Sequence, residues 1–314
     1  MIKVSIIGTG SVGSTIAYSL AIMGVASEIV LIDINQEKAL GEALDIRQGA
    51  PFFGPCSVYA GTYEDAKNSD IVVLTSGIAR KPGQTRLELA QINVNITRSI
   101  AEQIVKHAPN AVYIIVSNPV DILTYTFTKL SGIPENRIIG SGTLLDSARL
   151  RTRIAECLSI SHKDVHAFVL GEHGDSSFVP WNSVRISSVS LADYRNHLNY
   201  REDFAAELNL DEIENYIRTS GGKIIQRKGA TFYAIAVSVC DIVKTLLNGS
   251  DSVLCVSSMM HGEFGIEDVC LSVLCIVDGD GVRGKIQSNL TDEEHAKLLA
   301  SAQKLKETIS GIHF

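Results

Sequence analysis

Apolar and polar residues follow two distinct rhythms along the first half of this chain. Residues 4–7, 29–32, 57–60, 71–75 and 111–116 form short runs, several of them continuously apolar. Such runs suit strands covered on both faces of a parallel sheet. Between them, residues 14–23, 36–48 and 86–107 space their apolar side chains three and four apart, which predicts helices. This βαβ order predicts an α/β fold built on a doubly wound parallel sheet with right-handed crossovers. The second half has a different grain. It carries helical patterns at 144–158, 203–225, 230–247 and 292–309, and strand patterns at 165–170, 253–258 and 271–277. No linker, repeat or low-complexity segment separates the halves. The expectation is two domains, 1–140 and 141–314, sharing a substantial interface near residue 140.

Composition narrows the function classes. The 314 residues are 45% hydrophobic and 20% charged, ordinary for a globular protein with large cores. A formal charge of −7 and a pI near 5.6 argue against a nucleic-acid or anionic-membrane partner. Six scattered cysteines without a Cys-x-x-Cys pair read as buried small hydrophobes in a reducing compartment, and no metal site is expected. No apolar run approaches the roughly 18 residues of a membrane span, and no signal-peptide pattern is seen. The expected setting is the cytoplasm.

Several segments carry chemistry. Gly8-Thr9-Gly10-Ser11-Val12-Gly13 follows the first strand and opens the first helix. Glycines there permit a tight turn and close approach of a pyrophosphate to backbone N–H groups at a helix N-terminus. Asp33 ends the second strand, where a carboxylate accepts hydrogen bonds from the adenine ribose hydroxyls. No adjacent Arg or Lys is present to neutralise a 2′-phosphate, which favours NAD over NADP. Arg80 and Arg86 flank a Lys81-Pro82-Gly83 turn beyond the fourth strand, at the sheet's ligand-binding edge, and read either as part of a lid or as a solvated basic loop. Asn118, before Pro119, either bonds a carboxamide or substrate hydroxyl or caps the next helix. Asp146 and Arg149 share one helical face, either as a surface salt bridge or facing one pocket. His173 lies in Gly171-Glu172-His173-Gly174-Asp175, a turn at the end of an apolar run. Imidazole, titrating near neutrality, is suited to accepting and returning a proton.

These segments, with Val116-Ser117-Asn118-Pro119-Val120, Gly140 to Arg149 and Lys228-Gly229-Ala230-Thr231, together resemble the lactate/malate dehydrogenase family, in order and over essentially the full length. The resemblance implies a Rossmann-type domain, a mixed α/β catalytic domain, and hydride transfer between NAD and an L-2-hydroxy acid. It implies that His173 exchanges the hydroxyl proton, with Asp146 on its other ring nitrogen. By the same resemblance Arg149 clamps the substrate carboxylate and Arg86 polarises the carbonyl. Asn118 and Ser141 line the nicotinamide end, and Thr231 forms part of the substrate wall. A homotetramer is implied. Arg151 and His166 match the pair that binds fructose 1,6-bisphosphate in allosteric bacterial lactate dehydrogenases.

Substrate choice divides the motifs. Arg80 stands where lactate enzymes of the family carry Gln, and arginine there marks malate enzymes. Oxaloacetate would give Arg80 a second carboxylate, whereas pyruvate offers only a methyl group. Asp175 and Thr231 point the other way, because a nearby acid disfavours a dianion. The expectation is a malate dehydrogenase, with L-lactate dehydrogenase as the alternative and a non-catalytic NAD-binding sensor as a further class.

Overall fold

A computed structural model describes residues 2–79, 83, 85–197 and 208–314. Its first half runs β1 (Lys3–Ile7), α1 (Ser11–Met23), β2 (Glu28–Ile32), α2 (Gln36–Gln48), β3 (Ser57–Gly61), β4 (Ile71–Leu74), α3 (Arg86–His107), β5 (Val112–Ile115), α4 (Val120–Ser131) and β6 (Ile138–Gly140). There follow α5 (Leu144–Leu158), β7 (Val165–His166), β8 (Arg185–Ile186), β9 (Val189–Ser190), α6 (Leu191–His197), α7 (Leu210–Lys228) and α8 (Tyr233–Asn248). The chain closes with β10 (Ser252–His261), β11 (Glu267–Asp278), β12 (Gly281–Lys285) and α9 (Asp292–Ser310).

Strands β3-β2-β1-β4-β5-β6 lie in that order and pair in parallel, as a doubly wound sheet requires. All four residues of β4 and all four of β5 are buried, which explains their uninterrupted apolar spelling. The strand order reverses between β1 and β4, so a crevice opens there at the carboxyl ends of the strands.

The same sheet continues past the expected boundary. β10 joins the edge of β6 antiparallel, through Ser257 opposite Gly140, and β11 and β12 extend it to nine strands. β6 would otherwise present unpaired backbone groups, and β10 covers that edge. One apolar core therefore spans both halves of the chain. A second, smaller core gathers Leu150 and Ile154 of α5, Val165 of β7, Val169, and Ile213 and Ile217 of α7.

Two of the expected elements need correction. The pattern at 165–170 pairs as a strand only at Val165–His166, with Leu170 in an isolated bridge to Phe178. Tertiary hydrogen bonds hold that segment instead of a strand ladder. The helix expected at 203–225 begins at Leu210, behind an Asn209 cap, and its residues 203–207 lie outside the described residues. Strands β8, β9 and β12 escape the sequence reading because each is short and half-exposed. All six cysteines are free thiols; Cys56 and Cys157 are only partly buried. Among the described residues, no helix is long and apolar enough to cross a membrane and no cluster of metal ligands occurs.

Candidate active site

At the head of β1, the glycine turn brings α1 against the sheet. Gly8 has φ +99°, and a Cβ at Gly13 would lie 1.9 Å from the Gly8 carbonyl oxygen, so neither position accepts a side chain without moving backbone. Gly10 caps α1 without a side-chain hydrogen bond, no acid occupies the first turn, and a Cβ on Gly10 would meet nothing within 4 Å. The first N–H groups of α1 thus face open space, which fits a pyrophosphate.

Asp33 completes the cradle. Its Oδ2 accepts the Thr9 N–H at 2.6 Å and the Thr9 hydroxyl at 3.0 Å, and its Oδ1 accepts the Asn35 N–H at 2.9 Å. Partial burial opposes the charge, but these bonds and the nearby Lys38 hold the carboxyl below its usual range. An anchored anion there suits a ribose diol and repels a 2′-phosphate.

Across the crevice lies a cavity of about 510 Å³ lined by both halves of the chain, including Asn118, Ser141, Asp146, Arg149, His173, Asp175, Arg218 and Thr231. Asp146 sits in the first turn of α5, where the helix dipole favours an anion, and its side chain is 8% exposed. Its Oδ2 lies 2.5 Å from His173 Nδ1 and its Oδ1 accepts from Arg149 Nη1 at 2.8 Å. The sequence alone left open a surface salt bridge between Asp146 and Arg149. Asp146 is buried, Arg149 is only partly exposed, and both line the cavity, which rejects that alternative.

Burial works against charge on both members of the His–Asp pair, and their mutual attraction overcomes it. Asp146 is held below the usual carboxylate range by His173 and Arg149. His173 is raised above 6.5 by Asp146 and, through charge alone, by Asp121, while Arg149 opposes. With Nδ1 engaged, Nε2 is the ring nitrogen left to exchange a proton in the cavity.

The histidine turn is pinned from four sides. Gly171 exchanges backbone bonds with Ser272 of β11, and Leu170 with Phe178. Ser301 of α9 accepts the Glu172 N–H, and Asp121 of α4 accepts the His173 N–H at 2.7 Å. Arg218 of α7 donates to the Ser177 carbonyl. Asp121, Ser301 and Arg218 were not singled out in the sequence. Of the three only Asp121 carries a local signal, an acid interrupting the apolar start of α4.

Arg86 is the first residue of α3. A reciprocal Thr85–Glu88 capping box fixes its turn, and its guanidinium pairs with Asp175. Arg80, Lys81, Pro82 and Gln84 lie outside the described residues. Buried Asn93, also unforeseen, accepts the Ile78 N–H and donates to the Ile78 and Asn118 carbonyls, tying α3 to the strand ends beneath the cavity. Pro119, not Asn118, is the residue that caps α4, so Asn118 is not spent on capping. Arg151 is half-buried on α5, and His166 is exposed on β7, opposite Arg185 of β8.

Comparison with known proteins agrees with this geometry. The sequence models of the lactate/malate dehydrogenase NAD-binding domain and of its α/β C-terminal domain match residues 2–140 and 143–313. The L-lactate dehydrogenase of Clostridium botulinum strain Hall is 44% identical over 310 residues, covering 98% of this chain and 96% of the relative. L-lactate dehydrogenase 1 of Clostridium acetobutylicum is 43% identical over 311 residues, 99% and 98% of the two chains. The minor L-lactate dehydrogenase of Enterococcus mundtii superposes with a TM-score of 0.94 at 41% identity, over 100% of this chain and 99% of that one. A lactate dehydrogenase from a deep-sea metagenome library gives 0.93 at 35%, over 99% and 98%. With both family domains matched end to end, a dinucleotide cradle and a His–Asp–Arg cluster built on a buried Asp146 and lining one cavity, the chain belongs to the lactate/malate dehydrogenase family and is an NAD-dependent oxidoreductase acting on a 2-hydroxy acid.

Proposed function

We propose that this chain is a cytoplasmic L-lactate dehydrogenase, exchanging hydride between NAD and the C2 carbon of a monocarboxylic 2-hydroxy acid. The observation that carries the choice of lactate is full-length identity of 43–44% to proteins bearing that name. Asp175 supports it, because a carboxylate on the cavity wall repels a second carboxylate on the substrate. The expectation of malate drawn from Arg80 lacks such support. It remains a second reading, resting on that one arginine.

NAD, held along Gly8, Gly10, Gly13 and Asp33, supplies the hydride acceptor, with Asn118 and Ser141 at its nicotinamide end. His173 accepts the hydroxyl proton at Nε2 as the C2–H bond breaks, and returns it in the reverse direction. Asp146 fixes the ring through Nδ1 and stabilises the imidazolium. Arg149, with Nη1 spent on Asp146, offers its remaining N–H groups to the substrate carboxylate. Arg86 exchanges Asp175 for the substrate oxygen, where negative charge builds in the transition state. Thr231 closes the wall near the substrate's C3 group. The functional division of the chain falls at 140, where the cofactor half ends and the catalytic half begins.

The test is kcat/KM for pyruvate and oxaloacetate with NADH, in wild type and Arg80→Gln. Preference for pyruvate in both supports the lactate reading. An oxaloacetate preference of ~100-fold in wild type, reversed by Arg80→Gln, establishes malate instead.

Arg151 and His166 extend the proposal to a homotetramer activated by fructose 1,6-bisphosphate across a subunit interface. Adding the sugar bisphosphate should lower KM for the 2-oxo acid or favour assembly in sedimentation, and His166→Ala should abolish the response. No change in either quantity for wild type removes the pair from regulation.

A further inference from the structure

The helix α7 turns one face toward the cavity through Arg218, Gly221, Gly222 and Ile225, spaced three and four apart. Two consecutive glycines inside a 19-residue helix need a reason, because glycine destabilises a helix interior relative to alanine. Neither backbone nor packing supplies one. Both positions are helical, and neither is among the glycines with positive φ. Among the described residues outside this helix, the nearest atom to a Cβ on Gly221 would be Arg149 Nη2, at 3.8 Å, an ordinary van der Waals distance. A Cβ on Gly222 would meet nothing within 4 Å. Gly13 is the opposite case, where a Cβ collides with backbone. What the two missing methyl groups change is the room inside the cavity.

We propose that Gly221 and Gly222 set the substrate range, opening a notch in the α7 wall for 2-oxo monocarboxylic acids whose uncharged side chain extends beyond the methyl group of pyruvate. The proposal rests on the reading of the cavity as the site of a 2-oxo acid clamped by Arg149. A carboxylate paired with Arg149 brings its carbon chain beside Gly221, because the guanidinium itself lies there. At the notch that chain meets bare helix backbone, where any other residue would present a side chain. Ile225 continues the wall with apolar surface, against which an alkyl chain gains by leaving water.

The charges around the notch favour an uncharged chain. Arg218 is already engaged, its Nη1 donating to Glu214 Oε2 at 3.0 Å and to the Ser177 carbonyl at 3.2 Å. Asp175 lines the same cavity and repels a second carboxylate.

The experiment is kcat/KM with NADH for pyruvate, 2-oxobutanoate, 2-oxopentanoate and oxaloacetate, with Tm and the NADH Kd measured alongside. The proteins are wild type, the double variant Gly221→Ala/Gly222→Ala, and Gly41→Ala as control. Gly41 lies inside α2, outside the cavity lining, and a Cβ there also meets nothing within 4 Å. A pocket fitted to a methyl group loses about 10-fold or more for each added methylene, hence ~100-fold for 2-oxopentanoate. Wild type should instead turn over 2-oxopentanoate within about tenfold of pyruvate. The double variant should lower the ratio of 2-oxopentanoate to pyruvate by about tenfold or more while raising Tm, a combination that damage to the fold does not produce. Gly41→Ala should raise Tm and leave the ratio as it is. A ~100-fold loss for 2-oxopentanoate in wild type, a ratio unmoved in the double variant, or an equal loss on every substrate overturns the proposal. Oxaloacetate preferred by wild type and lost in the double variant also overturns it, giving the notch to a carboxylate. Pyruvate turned over without the longer acids removes the notch alone. No turnover of any 2-oxo acid, with NADH still bound, removes the proposed function with it.

Discussion

His173→Asn should lower kcat for pyruvate reduction by about 10²–10⁴-fold, the range set by loss of a general acid, while the NADH Kd stays within a few-fold. The two readouts separate because the proposed cofactor contacts lie along Gly8–Gly13 and Asp33, on strands and turns that His173 does not support. Titrating NADH fluorescence against the variant checks the second value. Loss of both together would point to a collapsed site instead of lost chemistry. Stability should change with pH in a defined direction. The folded His173 pKa is raised, so the stability from its pair with Asp146 is fully present below the unfolded value of 6.5 and is lost as pH rises through the folded value. Wild type should therefore exceed His173→Asn in Tm by more at pH 6 than at alkaline pH.

Arg149→Lys should raise KM for the 2-oxo acid and cut kcat/KM by roughly 10- to 200-fold, the equivalent of one lost charge-assisted hydrogen bond at about 1.5–3 kcal/mol. Arg149 has two obligations. Its Nη1 serves Asp146 at 2.8 Å, and its Nη2 lies 3.8 Å from where a Cβ on Gly221 of α7 would stand, inside the cavity. A planar guanidinium can meet Asp146 and a substrate carboxylate together, whereas a lysine ammonium offers a single point of charge. Steady-state kinetics with NADH saturating reads the change directly, and an unaltered KM would take Arg149 out of carboxylate binding. The NADH Kd should again hold.

Much of the fold follows from local pattern. The buried strands β4 and β5 spell themselves as apolar runs because both faces are covered, and α2, α3 and α5 begin and end where their helical spacing predicts. The glycine turn is legible because backbone crowding at Gly8 and Gly13 excludes other residues. His173, Asp146 and Arg149 are legible only as members of a family pattern. Nothing in the spacing of 146 and 173 states that the two side chains meet.

What the sequence determined by itself is therefore the α/β class and the glycine turn at the head of the first helix, since these depend on neighbours within one turn or one strand. Tertiary structure alone decided that Asp146 is buried between His173 and Arg149, and that β10 continues the sheet from β6. It also decided that the His173 peptide hangs from Asp121 on α4, while the turn around it is tied to α7, α9 and β11. These contacts join residues far apart in the chain, and the energy of a buried charge depends on the partners that folding brings to it, which no local run of residues contains.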